Sequence, residues 1–127
     1  MQANFTGKKI MSNEYFEKLS QRLEKFAMDR DWDQFHAPKN LVMALSVEAA
    51  ELTEHFQWLT EEQSKNISKE QLDEVAFEMA DIYIYLTRLA TKLNVDLPQY
   101  VEDKIVINEK KYPADKVKGS AKKYSEY

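Results

Sequence analysis

The chain contains no cysteine, which excludes disulfides, thiolate nucleophiles and zinc–sulfur sites and suits a reducing compartment. Two glycines and three prolines leave little turn chemistry for a β-rich fold, so helices are favoured. No window approaches the ~20 apolar residues of a membrane span, and the opening MQANFTGKKIMSNEYF lacks the apolar core of a secretory signal. The expectation is a cytoplasmic protein with no membrane partner. Positive charge is not in surplus either, with 18 Lys and Arg against 22 Asp and Glu. A nucleic-acid polymer is therefore a poor partner, because phosphate-backbone binding needs clustered positive charge. A single nucleotide brought in with a metal stays open. Histidine is scarce, and neither His36 nor His55 has a Glu three residues before it, which removes the Glu-x-x-His design of di-iron bundles.

What is present is helical patterning in a length suited to one domain. Residues 1–12 read as an irregular arm, after which Asn13 caps a helix with Phe16, Leu19, Leu23 and Phe26 on one face. A connector, DWDQFHAPKN, is rich in aromatic and polar side chains and leads through Pro38 into a second helix over about 38–58. The polar run TEEQSKN closes that helix. Ser68 and Gln71 form a capping-box signature for a third helix with the stripe Leu72, Val75, Met79, Ile82, Leu86, Leu89 and Leu93. Asp96 and Pro98 cap and open a fourth. The fold expected is all-α, an antiparallel bundle of four main helices spanning 13–111, with 112–127 a polar tail or lid lacking its own core.

One detail conflicts with a simple core. At 100° per residue Leu41, Leu45, Leu52, His55 and Leu59 share a face of the second helix, and Glu48 points the same way. A carboxylate in that position needs compensation. Glu51, three residues on, lies beside it, and Glu78 and Asp81 repeat the spacing on the third helix. Glu74, Asp81 and Tyr85 continue a polar seam along that helix. If the two helices pack antiparallel the seams meet, and clustered carboxylates stay ionised only with cations among them. Oxygen-only donors favour Mg²⁺, with Mn²⁺ an alternative. A buried ion-pair network with Lys or Arg would answer the same need. Trp32, Phe35 and Trp58 flank the second helix as satellite core or, beside a metal, as rings able to stack a base. Lys104, Asn108, Lys110 and Lys111 bring positive charge and an amide suited to phosphate oxygens.

The order RDWDQFHAPKN, VEAAELTEHFQW, EMADIYIYLTRLA, DL, KIVINEKKYP and KGSAKKY resembles the MazG-like all-α nucleoside triphosphate pyrophosphohydrolases, and most of all their dCTP pyrophosphatase branch. The resemblance implies hydrolysis of a nucleoside triphosphate, dCTP or a modified dCTP, to the monophosphate and pyrophosphate in nucleotide-pool house-cleaning. It implies Mg²⁺ held by Glu48, Glu51, Glu78 and Asp81, with Glu51, assisted by Glu48, orienting or deprotonating the attacking water. Trp32 and Trp58 would form the base and sugar pocket, Tyr85 and Asn108 would line it, and Lys104 and Lys111 would contact phosphates. It further implies a homo-oligomer, a dimer or a dimer of dimers, that completes the bundle and places sites between subunits. Many relatives carry Glu just before the first metal glutamate, where this chain has Val47. A broader-specificity pyrophosphatase and a non-catalytic nucleotide-binding module are the competing functions.

Overall fold

The computed structural model describes residues 13–121, which form helices and no strand. In order these are α1 (Glu14–Asp29), a 3-10 turn (Asp33–Phe35), α2 (Pro38–Glu54), α3 (Glu61–Ser64), α4 (Lys69–Lys92), α5 (Leu97–Lys111) and α6 (Ala114–Val117). Residues 14–95 make one compact unit, while α5 and α6 belong to another. The expected arm over 1–12 and residues 122–127 of the expected tail lie outside the described residues.

Local chemistry explains the boundaries. Glu14 and Glu17 place negative charge at the positive end of the α1 dipole. Pro38 opens α2, where a missing N–H costs nothing. Both halves of the Ser68–Gln71 capping box form at the start of α4. Asp96 accepts a bond from the Gln99 N–H at the start of α5. Ser68→Ala should lower stability by about 1 kcal/mol, readable as a fall in the urea midpoint at unchanged slope.

Two helices end alike. Asp31 (φ 55°) and Asn94 (φ 56°) adopt the left-handed conformation. The N–H groups of Trp32 and Val95 then reach back to the carbonyls of Ala27 and Ala90, each at 2.8 Å, as in a Schellman motif. The hydrophobic contact that accompanies such a cap is present at α1, where Trp32 meets Phe26 edge to face with centroids 5.9 Å apart. Asp31→Gly should melt within about a degree of the native chain, whereas Asp31→Val, β-branched at positive φ, should lose roughly 1–2 kcal/mol.

α2 packs chiefly on α4, and α1 also lies against α4. The first pair runs antiparallel, since His36 meets Arg88, Glu48 meets Glu78 and His55 faces Glu74. Among the described residues only Ala27, Leu41, Val75 and Ala90 are buried apolar side chains. Met43, Val47, Phe77 and Met79 are each more than half exposed.

Two expectations need correction. α2 stops at Glu54 and not near Trp58, because the following N–H groups of Phe56 and Gln57 both turn onto the Thr53 carbonyl. The run TEEQSKN is not merely a terminator: Thr60 and Gln63 form a full capping box and nucleate α3. Within the expected tail, Pro113 precedes the short helix α6. Of the expected α4 stripe, Val75 is buried and Ile82, Leu86 and Leu89 are half-buried, whereas Leu72, Met79 and Leu93 are exposed; Thr87, Arg88 and Ala90 are buried beside it. Thr87 enters the core because its hydroxyl donates to the Tyr83 carbonyl at 2.8 Å.

Candidate metal centre

Glu48 occupies the inner face of α2, where Leu41, Leu45 and Leu52 are likewise buried or half-buried, as are His55 and Leu59 just beyond the helix. The antiparallel register sets it opposite Glu78 on α4, and one further turn brings in Asp81. Oxygens of Glu48, Glu78 and Asp81 lie within 4.8 Å of one another. Glu48 and Glu78 are half-buried and Asp81 is exposed, so the group opens to solvent on one side.

The electrostatics are those of an unneutralised cluster. One oxygen of Glu48 and one of Glu78 (Oε2 in both) are buried without any hydrogen-bond partner. The Glu48 carboxyl is pushed up to about 7, first by the adjoining Glu78 carboxyl with which it would share a proton, then by burial, then by Glu51 and Asp81. Glu51 thus belongs to the electrostatic neighbourhood of Glu48, although the tight three-carboxylate group does not contain it. Among the described residues no ion pair reaches any of the four acids. The ion-pair alternative therefore finds no base here, because Arg88 and Lys92 of α4 are both engaged with Asp33. Orphaned carboxylate oxygens in an all-oxygen donor set fit a hard divalent cation such as Mg²⁺.

The other expected site residues are spread more widely. Tyr85, half-buried, lies one turn beyond Asp81 on α4. Trp32 precedes α2 and is 47% exposed; Trp58 follows it and is 86% exposed. Lys104, Asn108 and Lys111 are exposed positions of α5, in the other compact unit. His55 stands 4.0 Å from Glu74, outside the three-carboxylate group.

A second polar cluster escaped the sequence reading. Arg88, 3% exposed, donates from Nη2 to Asp33 Oδ1 at 2.6 Å and from Nε to His36 Nδ1 at 3.1 Å. Lys92 Nζ donates to the same Asp33 oxygen. The Lys92 ammonium foremost, with Arg88 adding to it, holds the Asp33 carboxyl below the usual range. Burial first, and then the Arg88 charge, pushes the His36 imidazole down, so its Nδ1 stays an acceptor at neutral pH. The one available signal was an arginine set between the core positions Leu86 and Leu89.

The chain is similar to known proteins. The chain is 42% identical over 104 residues to dCTP pyrophosphatase 1 of Homo sapiens, covering 80% of this chain and 61% of that protein. The corresponding protein of Bos taurus is 43% identical over 104 residues, covering 80% and 62%. The chain thus spans about three fifths of the length of these curated relatives. A pyrophosphatase of Archaeoglobus fulgidus, known from a crystal structure, superposes with a TM-score of 0.75 at 34% identity, covering 84% of this chain and 99% of that one. The MazG-like family model matches residues 43–127, which takes in all four clustered acids, and the chain belongs to the MazG-like family.

Proposed function

We propose that the protein is a Mg²⁺-dependent nucleoside triphosphate pyrophosphohydrolase that converts dCTP, or a modified dCTP, to the monophosphate and pyrophosphate in cytoplasmic nucleotide-pool house-cleaning. The observation that carries this reading is the pair of buried, partnerless oxygens on Glu48 and Glu78, with Asp81 alongside. Glu48, Glu51, Glu78 and Asp81 would hold Mg²⁺, which when bound offsets phosphate charge and acidifies water. Glu51, next to the cluster, orients or deprotonates the water that attacks the α-phosphorus in line, and pyrophosphate departs. Lys104 and Lys111 steady the phosphates; Tyr85 and Asn108 line the nucleoside pocket.

Trp32 and Trp58 are assigned to the base and sugar, which has a consequence for assembly. They lie beyond opposite ends of α2, whose 17 residues rise about 25 Å. A pocket that takes one ring from each of two subunits would bring them together. That reading requires a homo-oligomer, at least a dimer, and the exposed Met43, Val47, Phe77 and Met79 offer apolar surface for it.

The deciding experiment is pyrophosphate release from canonical and 5-substituted nucleoside triphosphates, with and without Mg²⁺. Strong preference for cytosine deoxynucleotides supports the reading. Equal turnover across bases would favour a broader enzyme, since ring stacking alone tolerates every base. Nucleotide binding without release would leave a binding module.

A further inference from the structure

We propose that Arg88 is a positioning residue: through Asp33 and His36 it locks the connector between α1 and α2 onto α4 and thereby holds the Trp32 ring in place for the base. This rests on the reading of Trp32 as a stacking platform.

The connector is fixed at both ends. On the α1 side the Trp32 N–H is bound to the Ala27 carbonyl and the ring leans on Phe26, itself covered by the Arg30 guanidinium 3.6 Å from its centroid. On the α2 side Asn40 Nδ2 donates to the Phe35 carbonyl at 3.0 Å. Between them, Asp33 and His36 provide the side-chain link from the connector to α4, through Arg88 and Lys92. Trp32 and Asp33 are consecutive, so displacement of one moves the other.

A buried guanidinium is a weak device for stability, because its desolvation consumes most of what the ion pair returns. It is a strong device for geometry, since the planar fork sets two partners at fixed angles. Here both partners, an acid and a neutral imidazole, belong to the connector. Two cations share one carboxylate oxygen, so removing Asp33 would leave Arg88 and Lys92 facing each other across an empty position. Arg88 is also seven residues beyond Asp81 on the same unbroken helix, a rise of about 10 Å. α4 thus sets the spacing between the acids that meet the phosphates and the clamp that sets the base platform.

Asp33→Ala and Arg88→Lys test this in the full chain. Asp33 is part-exposed, so its loss spares the core if the buried Arg88 variant misfolds. The first readout needs no substrate: with Trp58→Phe added, Trp32 is the sole tryptophan, and its acrylamide quenching constant should rise, by up to about twofold for a ring already 47% exposed. The second is kinetic, with Trp58 restored: KM should rise roughly 5- to 100-fold, the range of one lost base stack, with kcat within about threefold and the Mg²⁺-induced rise in Tm retained. Unchanged quenching in both variants overturns the proposal, as does a loosened ring with unchanged KM in an active enzyme. If the native chain releases no pyrophosphate from any nucleotide, the enzymatic reading fails by itself; quenching then still decides the clamp, a rise supporting it and no rise overturning it.

Discussion

Replacing Glu48 by glutamine is expected to abolish Mg²⁺-dependent pyrophosphate release and, in the same molecule, to make the metal-free protein more stable. The second half follows from the carboxyl's displacement from 4.5 to about 7. Between those values the folded chain holds a proton that the unfolded chain has released, so stability falls as pH rises through this window and stays low above it. Glutamine keeps the shape, lacks the charge and offers an N–H to Glu78. Discounted for a site only half withdrawn from water, the gain at pH 8 without metal is about 1 kcal/mol, or roughly 3–6 °C. At pH 5 the two proteins should melt nearly together. Saturating Mg²⁺ reverses the order, because binding at a hundred times Kd adds about 2.7 kcal/mol to the native protein only. The loss of turnover should be about a hundredfold or more, as expected for a removed metal ligand. Melting in EDTA and in Mg²⁺ at both pH values, beside the pyrophosphate assay, measures all of this. A native protein that melts no lower than the variant in EDTA at pH 8, and gains nothing from Mg²⁺, would remove the metal from the cluster.

That Glu48 could be singled out from sequence reflects a local rule: helical periodicity identifies the inner face, and a carboxylate on it stands out whatever the partner helix does. Caps were legible for the same reason, with Ser68–Gln71 and Asp96 acting within three residues. The same rule should have revealed Thr60–Gln63, but no apolar run follows it, and a four-residue helix has no periodicity to read. The burial of Thr87, Arg88 and Ala90 beside the apolar stripe was hidden because tight approach between helices selects small or hydrogen-bonded side chains, which hydropathy ranks low. The clamp was hidden by distance along the chain. Asp33 and Arg88 are 55 residues apart, and a charged residue carries no sign of its partner. The family match begins at residue 43, after the connector, so the pairing of Asp33 and His36 with Arg88 came from the structure alone.

Mixing two impaired variants should restore activity. Trp32→Ala and Trp58→Ala are each expected to lower kcat/KM by roughly 5- to 100-fold, the range of one lost stacking contact. If every site takes Trp32 from one subunit and Trp58 from the other, a dimer carrying one substitution on each chain has one site with both rings lost and one with both intact. Random reassociation makes half of the dimers mixed, so about a quarter of all sites regain the native pair. Co-refolded or co-expressed variants should then show about a quarter of native activity, plus about half the mean of the separate variants from the unmixed dimers, which stands far above that mean when each substitution costs about tenfold or more. If both rings came from one chain, no mixed dimer would contain a repaired site and activity would stay at that mean. The 17-residue length of α2 makes a single-chain pocket hard to build, since about 25 Å of helix separates the two ends. Failure of complementation, with mixed oligomers verified by differently tagged chains, would mean that both rings serve one chain's site or that one of the two tryptophans does not touch the nucleotide. In the latter case Trp58 would be the first to lose its role, because Trp32 is fixed by Phe26 and the Arg88 clamp whereas Trp58 stands 86% exposed.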